Sequence, residues 1–173
     1  MEVTYKLRRP VGEGLREIIP VSLRFHAAME LPLAARNFIF NSYLKSWQCE
    51  ERNSRLHKAV YYSIQMPIIE RIMKYGSVIL AANPEDPTIY FGYLLYEQKL
   101  LQDAETGEDI VRPCIHYIYV KHIYRKCGIG SQLFSAYKHN EKLSGDILCS
   151  HSNWNFEKYE DRLKLICNPL LEK

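Results

Sequence analysis

The sequence predicts a mixed α/β layer fold, and three observations carry that expectation. Short alternating or apolar runs read as strands at Val3–Leu7, Ser77–Ala82, Thr88–Glu97, Cys114–Lys121, Asp146–Ser150 and Leu163–Cys167. Two longer stretches early in the chain repeat their apolar residues at helical spacing. A third helical stretch opens out of a Gly-containing turn that directly follows a strand, which ties sheet and helix into one layered unit.

The elements follow in order. Val3–Leu7 alternates and reads as the first strand, after which Gly12 and Gly14 break the chain. From Asn37 to Trp47 the residues Phe38, Ile39, Tyr43, Leu44 and Trp47 fall on one helical stripe. Leu56–Tyr75 continues with Val60, Ile64, Ile68, Ile72 and Tyr75, so two amphipathic helices are expected straight after the first strand. Ser77–Ala82 and Thr88–Glu97 flank Asn83-Pro84-Glu85-Asp86-Pro87, a β-hairpin signal: Pro and Asp favour the turn, and Ile89, Phe91, Tyr93 and Leu95 alternate. Polar Gln102–Arg112 separates the hairpin from Cys114–Lys121, whose β-branched and aromatic residues predict a central strand. A helix is expected from Ile129 to about Asn140, then a strand, a short helix near Trp154–Asp161 and the final strand. The expected order is β-αα-ββ-β-α-β-α-β in a single domain over residues 1–173.

Composition narrows the function classes. The 173 residues are 47% hydrophobic and 12% aromatic, enough for one ordinary core. A net charge of +3, from 23 basic and 20 acidic residues, demands neither a nucleic acid nor an anionic membrane as partner. The excess lies in residues 1–80, with 12 Lys and Arg against 7 Asp and Glu; a solvated surface accounts for it as well as an acidic partner does. The cysteines Cys49, Cys114, Cys127, Cys149 and Cys167 form no CxxC pair and no metal-ligand spacing, so no metal is expected and the compartment reads as reducing. The first twenty residues carry charge throughout and lack the apolar stretch of a signal peptide, and no run approaches membrane-span length; a cytoplasmic protein is expected.

The stretch that carries chemistry is Tyr119-Val120-Lys121-His122-Ile123-Tyr124-Arg125-Lys126-Cys127-Gly128-Ile129-Gly130-Ser131-Gln132-Leu133. A strand enters a short basic, glycine-containing turn that opens a helix; glycine lets the backbone approach an anion, and the helix start offers unpaired N–H groups at the positive end of its dipole. The turn lacks the Gly-Lys-Ser/Thr ending of a Walker loop and the GxGxxG of a dinucleotide fold. Its spacing is Arg-x-x-Gly-x-Gly.

That spacing, after a strand ending in Val and an aromatic just before the Arg, resembles the pyrophosphate motif of the GNAT superfamily of acyl-CoA N-acyltransferases. The resemblance is specific over roughly 25 residues, and the element order of the rest agrees with it. The family often has Pro two residues after the Val, where this chain has His122, upstream of the turn. The resemblance implies a twisted mixed sheet of about six to seven strands flanked by about four helices, with acetyl-CoA as co-substrate. It makes the backbone N–H groups of Cys127, Gly128, Ile129, Gly130 and Ser131 pyrophosphate donors, with charge added by Arg125 and Lys126. It sets Ile118, Tyr119 and Val120 beside the pantetheine arm, on main chain splayed from its neighbour, although ordinary sheet pairing fits the sequence equally well.

The family often has an Asn just past the next strand and, about one and a half helical turns later, a Tyr that protonates the departing thiolate; Asn153 and Tyr159 lie close to this spacing, with bulky Trp154 and Phe156 where the family usually has a small residue. A packing role for Tyr159 stays open. The amine's proton needs a base: His116 has a suitable intrinsic pKa and, by the period of two, shares a face with Ile118 and Val120; Glu97 is the other candidate. In the family the first helices form one wall of the acceptor site, which points to Ser42, Tyr43 and Trp47; the segment Asn37–Trp47 also resembles one in small GNAT-like proteins of bacteriophages, whose setting would be the host cytoplasm.

Two functions stay open. The first is an N-acetyltransferase that moves acetyl to a primary amine of a small molecule or protein in a ternary complex, with no nucleic acid or membrane partner and with a homodimer compatible. The second is a catalytically inactive scaffold of the same fold, serving phage assembly or host interference. No cysteine sits with a His/Asp pairing that would favour a thiol intermediate.

Overall fold

The computed structural model describes residues 2–10, 16–48, 57–103, 106–143, 145–150, 164–168 and 171. Seven strands form one sheet in sequence order: β1 (Glu2–Pro10), β2 (Arg16–Ala27), β3 (Ser77–Ala82), β4 (Tyr90–Gln102), β5 (Asp109–Val120), β6 (Ile147–Cys149) and β7 (Leu165–Cys167). Neighbours are antiparallel from β1 to β5 and parallel from β5 to β7. Three α-helices lie among the described residues: α1 (Leu33–Gln48), α2 (Lys58–Tyr75) and α3 (Ile129–Asn140). The fold class is the expected mixed α/β; the expected helix near Trp154–Asp161 lies outside the described residues.

Both faces of the sheet are covered. On one, Ile39 and Tyr43 of α1 and Ile69, Ile72 and Met73 of α2 pack on Val78, Leu80, Tyr93, Leu95 and Tyr117. On the other, Leu133, Phe134 and Tyr137 of α3 pack on Leu23, Ile79, Phe91, Leu94 and Ile115. Burial on both sides explains why β3 and the first half of β4 are apolar almost without interruption.

Three expectations are corrected. The two helices do not follow the first strand directly: β2 intervenes, burying Ile19, Val21 and Leu23 at a spacing of two. Pro20 and the flanking charges obscure it in the sequence. Pro20 is tolerated because residues 16–21 pair with β1 alone, the β3 ladder starting only at Ser22. Second, Gln102–Arg112 is not one long connection. β4 runs to Gln102, β5 starts at Asp109, and from Gln98 to Gln102 β4 pairs with residues 109–113 of β5, neither having another ladder partner among the described residues. A two-stranded ribbon projecting past its neighbours has polar residues on open faces, and that polarity reads as a loop. Third, the apolar stripe of α2 turns: Val60, Ile64 and Tyr75 are exposed, while Tyr61, Ile69, Ile72 and Met73 are buried.

Candidate functional site

β5 ends at Val120 and passes through a short 3-10 turn, His122–Tyr124, into the loop that opens α3. Lys126 (φ 63°) and Gly128 (φ 90°) both occupy the left-handed region. Such residues turn successive backbone N–H groups toward one concave side, the way a chain builds an anion site. Gly128 is the N-cap of α3, with no side-chain cap. The first helical bond runs from the Gln132 N–H to the Gly128 carbonyl at 3.0 Å, so the amides of Ile129, Gly130 and Ser131 point out of the helix start.

The glycines answer different needs. Gly128 is required by its φ. At Gly130 an added Cβ would meet only Val120 Cγ2, at 3.9 Å, an ordinary contact. Packing therefore does not exclude alanine there, and helix propensity favours alanine by about 1 kcal/mol. What the missing Cβ leaves is open approach to the first turn of α3, which fits a pyrophosphate. Arg125 and Lys126 are exposed beside it, and the Arg125 Nε–H donates to the Val120 carbonyl at 3.1 Å, tying the loop to the strand end. The Cys127 side chain is buried in the α3 core and anchors the loop; burial raises its thiol pKa.

Upstream, the β5–β6 ladder consists of Cys114 with Leu148 and Ile115 with Cys149, extended by a 3.0 Å bond from the Ser150 N–H to the Ile115 carbonyl. Past that point Ile118, Tyr119 and Val120 have ladder partners on β4 alone, among the described residues.

At the apex of the β5–β6 ladder β5 carries a bulge: Leu95 pairs with Tyr117 and Tyr96 with Ile115, which leaves His116 as the extra residue. This overturns the expectation that His116 shares a face with Ile118 and Val120. The bulge shifts the alternation by one, so Ile115 and Val120 pack in the α3 core and Tyr117 in the opposite one. His116 turns instead to Glu97 of β4, its Nε2 lying 3.2 Å from Oε2, while its Nδ1 lies 3.0 Å from the Ser150 hydroxyl.

The two sequence-predicted base candidates are therefore one cluster. Glu97 also accepts from Arg71 of α2 at 3.0 Å and pairs with Lys99 at 2.9 Å. Burial by itself would raise its pKa, but the hydrogen bonds from His116 and Lys99 and the Arg71 charge bring it down to about 2. An ionised carboxylate only accepts, so His116 carries its proton on Nε2 and offers Nδ1 to the Ser150 hydroxyl. Burial lowers the His116 pKa; Lys99 and Arg71 act the same way and Glu97 opposes them, which leaves a neutral imidazole near neutral pH.

Sequence reasoning missed Ser150, Arg71 and Lys99. Ser150 stands at the end of an apolar strand and Arg71 amid a helix, and neither position carries a local signal. Asn153, Trp154, Phe156 and Tyr159 lie outside the described residues. Ser42 and Tyr43 are buried rather than lining an open wall: the Ser42 hydroxyl donates to the Phe38 carbonyl at 2.7 Å, and the Tyr43 ring packs 5.0 Å from that of Tyr117. The side chain of Trp47 lies outside the described residues. Among the described residues no helix is long and apolar enough to cross a membrane.

No protein-family model matches the sequence, and no curated protein matches it. The fold does match solved structures. A presumed acetyl transferase from Pyrococcus furiosus superposes with a TM-score of 0.61 at 16% identity, covering 82% of this chain and 91% of that one. A variant of the BH1408 protein from Bacillus halodurans superposes with a TM-score of 0.50 at 14% identity, covering 84% and 92%. At such identities the likeness shows the fold, which is that of the GNAT acetyltransferases.

Proposed function

We propose that this chain, whose fold is that of the GNAT acetyltransferases, is an N-acetyltransferase that moves an acetyl group from acetyl-CoA to a primary amine by direct attack in a ternary complex. One observation carries the reading: β5, ending at Val120, runs through a short turn into a helix start whose outward amides follow Lys126 and Gly128, both in left-handed conformation.

The amides of Cys127, Gly128, Ile129, Gly130 and Ser131 hold the pyrophosphate, with Arg125 and Lys126 adding charge. Ile118, Tyr119 and Val120 hold the pantetheine arm with their main chain, and an amide of this stretch polarises the thioester carbonyl. Acetyl-CoA supplies the acetyl group already activated as a thioester. His116 takes up the amine's proton, Tyr159 protonates the departing thiolate, and Asn153 contacts the co-substrate. The acceptor is a small molecule or protein amine rather than a nucleic acid; the chain acts as one domain in the cytoplasm, and a homodimer is compatible with the reading.

Calorimetry with acetyl-CoA tests it. Wild type is expected to bind, and a Gly128→Trp, Gly130→Trp double variant to lose roughly a hundredfold or more in affinity, about 2.7 kcal/mol. Absence of binding by wild type would overturn the enzyme in favour of an inactive scaffold.

A further inference from the structure

Two cysteines stand opposite one another at the far end of the sheet. Cys149 closes β6, Cys167 closes β7, and the parallel register pairs the two residues directly. β7 is the last strand of the sheet and pairs with β6 alone among the described residues. The two side chains share a face: Cys149 is buried in the cluster under α3, and the half-buried Cys167 packs against that same cluster. The Cys149 thiol also leans across the gap between the strands. It donates to the Ile166 carbonyl at 3.3 Å, and the carbon of that carbonyl is bonded to the Cys167 nitrogen.

Paired strands lie about 4.8 Å apart, inside the range of roughly 4.4–6.8 Å that the Cα atoms of a disulfide span. Parallel neighbours send their Cβ atoms the same way, so the Cβ separation stays near the strand spacing, somewhat beyond the roughly 4.5 Å of a relaxed bridge. A small shift of the edge strand closes a bridge here, and the bridge closes under strain. Strained disulfides are the ones that thiols reopen, which suits a reducing compartment. Among the described residues no other cysteine faces a second one across a ladder. Cys114 lies opposite Leu148 and Glu97 and packs on the other side of the sheet with Leu171, where burial pushes its thiol up to about 12. Cys127 belongs to the glycine loop.

We infer that Cys149 and Cys167 form a reversible disulfide that fastens β7 to β6 when the protein meets a hydroperoxide. Cys167, the more accessible of the two, reacts first: its thiolate sulfur takes one peroxide oxygen, the O–O bond breaks and hydroxide leaves. The Cys149 sulfur then attacks the sulfur of the resulting sulfenic acid, giving up its proton as water departs. In all, two thiols lose two electrons and two protons, and one hydrogen peroxide becomes two waters. Two molecules of a small thiol reverse the step and leave as their own disulfide. The bridge closes residues 150–166 into a ring, which removes freedom from the unfolded chain. No co-substrate takes part, so the inference stands apart from the acetyl-transfer reading.

Peptide mapping of the full chain tests it. Wild type treated with a small excess of hydrogen peroxide and alkylated in denaturant should lose two of its five thiols, with the tryptic peptides 143–158 and 165–173 joined. Millimolar reduced glutathione should restore all five. Cys167→Ser, a change at a half-buried site, should lose no thiol to a bridge under the same treatment. Oxidised wild type should melt about 5 °C above the reduced protein, a shift absent in Cys167→Ser. Retention of every thiol by wild type, a bridge joining any other pair, a sulfinic acid on Cys167 in place of a bridge, or a bridge that glutathione leaves intact would each overturn the inference. Equal melting temperatures of oxidised and reduced wild type would do so as well, since β7 would not then be fastened.

Discussion

The glycine loop after β5 and the His116 cluster at the apex of the β5–β6 ladder are built on opposite plans. The loop end is local, exposed and made of backbone: Arg125 to Ser131 are contiguous, and their geometry follows from two left-handed residues and a helix start. The apex is non-local, buried and made of side chains: Glu97 and His116 come from two strands and Ser150 directly follows a third, with Arg71 reaching in from a helix on one face. Binding an anion needs amides pointing one way, which a short peptide can provide. Holding a neutral imidazole between a carboxylate and a hydroxyl needs low solvent access and fixed partners, which only a packed sheet provides.

The largest expected effect breaks the apex and spares the loop. Glu97→Ala leaves Arg71, Lys99 and His116 without their shared acceptor and should cost about 3 kcal/mol or more in chemical denaturation, with Gln a milder replacement. Acetyl-CoA affinity of the molecules that fold should stay close to wild type. Equal loss of affinity would mean that the two ends are not separable.

A smaller effect sharpens the contrast within the loop. Gly128→Ala forces a Cβ into φ 90° and should cost about 1–2 kcal/mol of stability. Gly130→Ala meets only Val120 at 3.9 Å and should stabilise the unliganded protein by up to about 1 kcal/mol while weakening acetyl-CoA binding. If Gly130→Ala binds as well as wild type, open approach at Gly130 is not what the loop is for.

The smallest effect is a pH signature of the apex. The folded pKa of His116 lies below its ordinary 6.5, so the unfolded chain binds more protons as pH falls through that value, and stability declines from about pH 7 downward. Glu97, brought from 4.5 to about 2, contributes stability that is present above 4.5 and lost as pH falls toward 2. His116→Gln should flatten the first decline and weaken the second, since His116 supplies one of the hydrogen bonds that hold the Glu97 pKa down. His26, whose pKa burial also lowers, remains as background in the first window. An unchanged profile in the variant would place the titration elsewhere.

The same contrast decides what could be read in advance. The helix Ile129–Asn140, the hairpin at Ser77–Ala82 and the loop were legible because each depends on neighbours in sequence. β2 is hidden in the sequence although Ile19, Val21 and Leu23 alternate, since Pro20 is disfavoured in a strand unless one neighbouring strand is locally missing, and the ladder alone shows that it is. The ribbon of β4 and β5 looks like a loop in sequence because its polarity comes from projecting beyond both neighbouring strands.

By itself the sequence determined the mixed α/β fold class, the helix at Ile129–Asn140 and the glycine turn that opens it, because periodicity and a glycine turn are properties of adjacent residues. Tertiary structure decided the rest: a single bulge at His116 turned that side chain to the other face, joined two rival base candidates into one cluster, and brought in a serine 34 positions away. Register between strands is set by the packing of the whole sheet, and one residue of slip exchanges what a strand shows to each side.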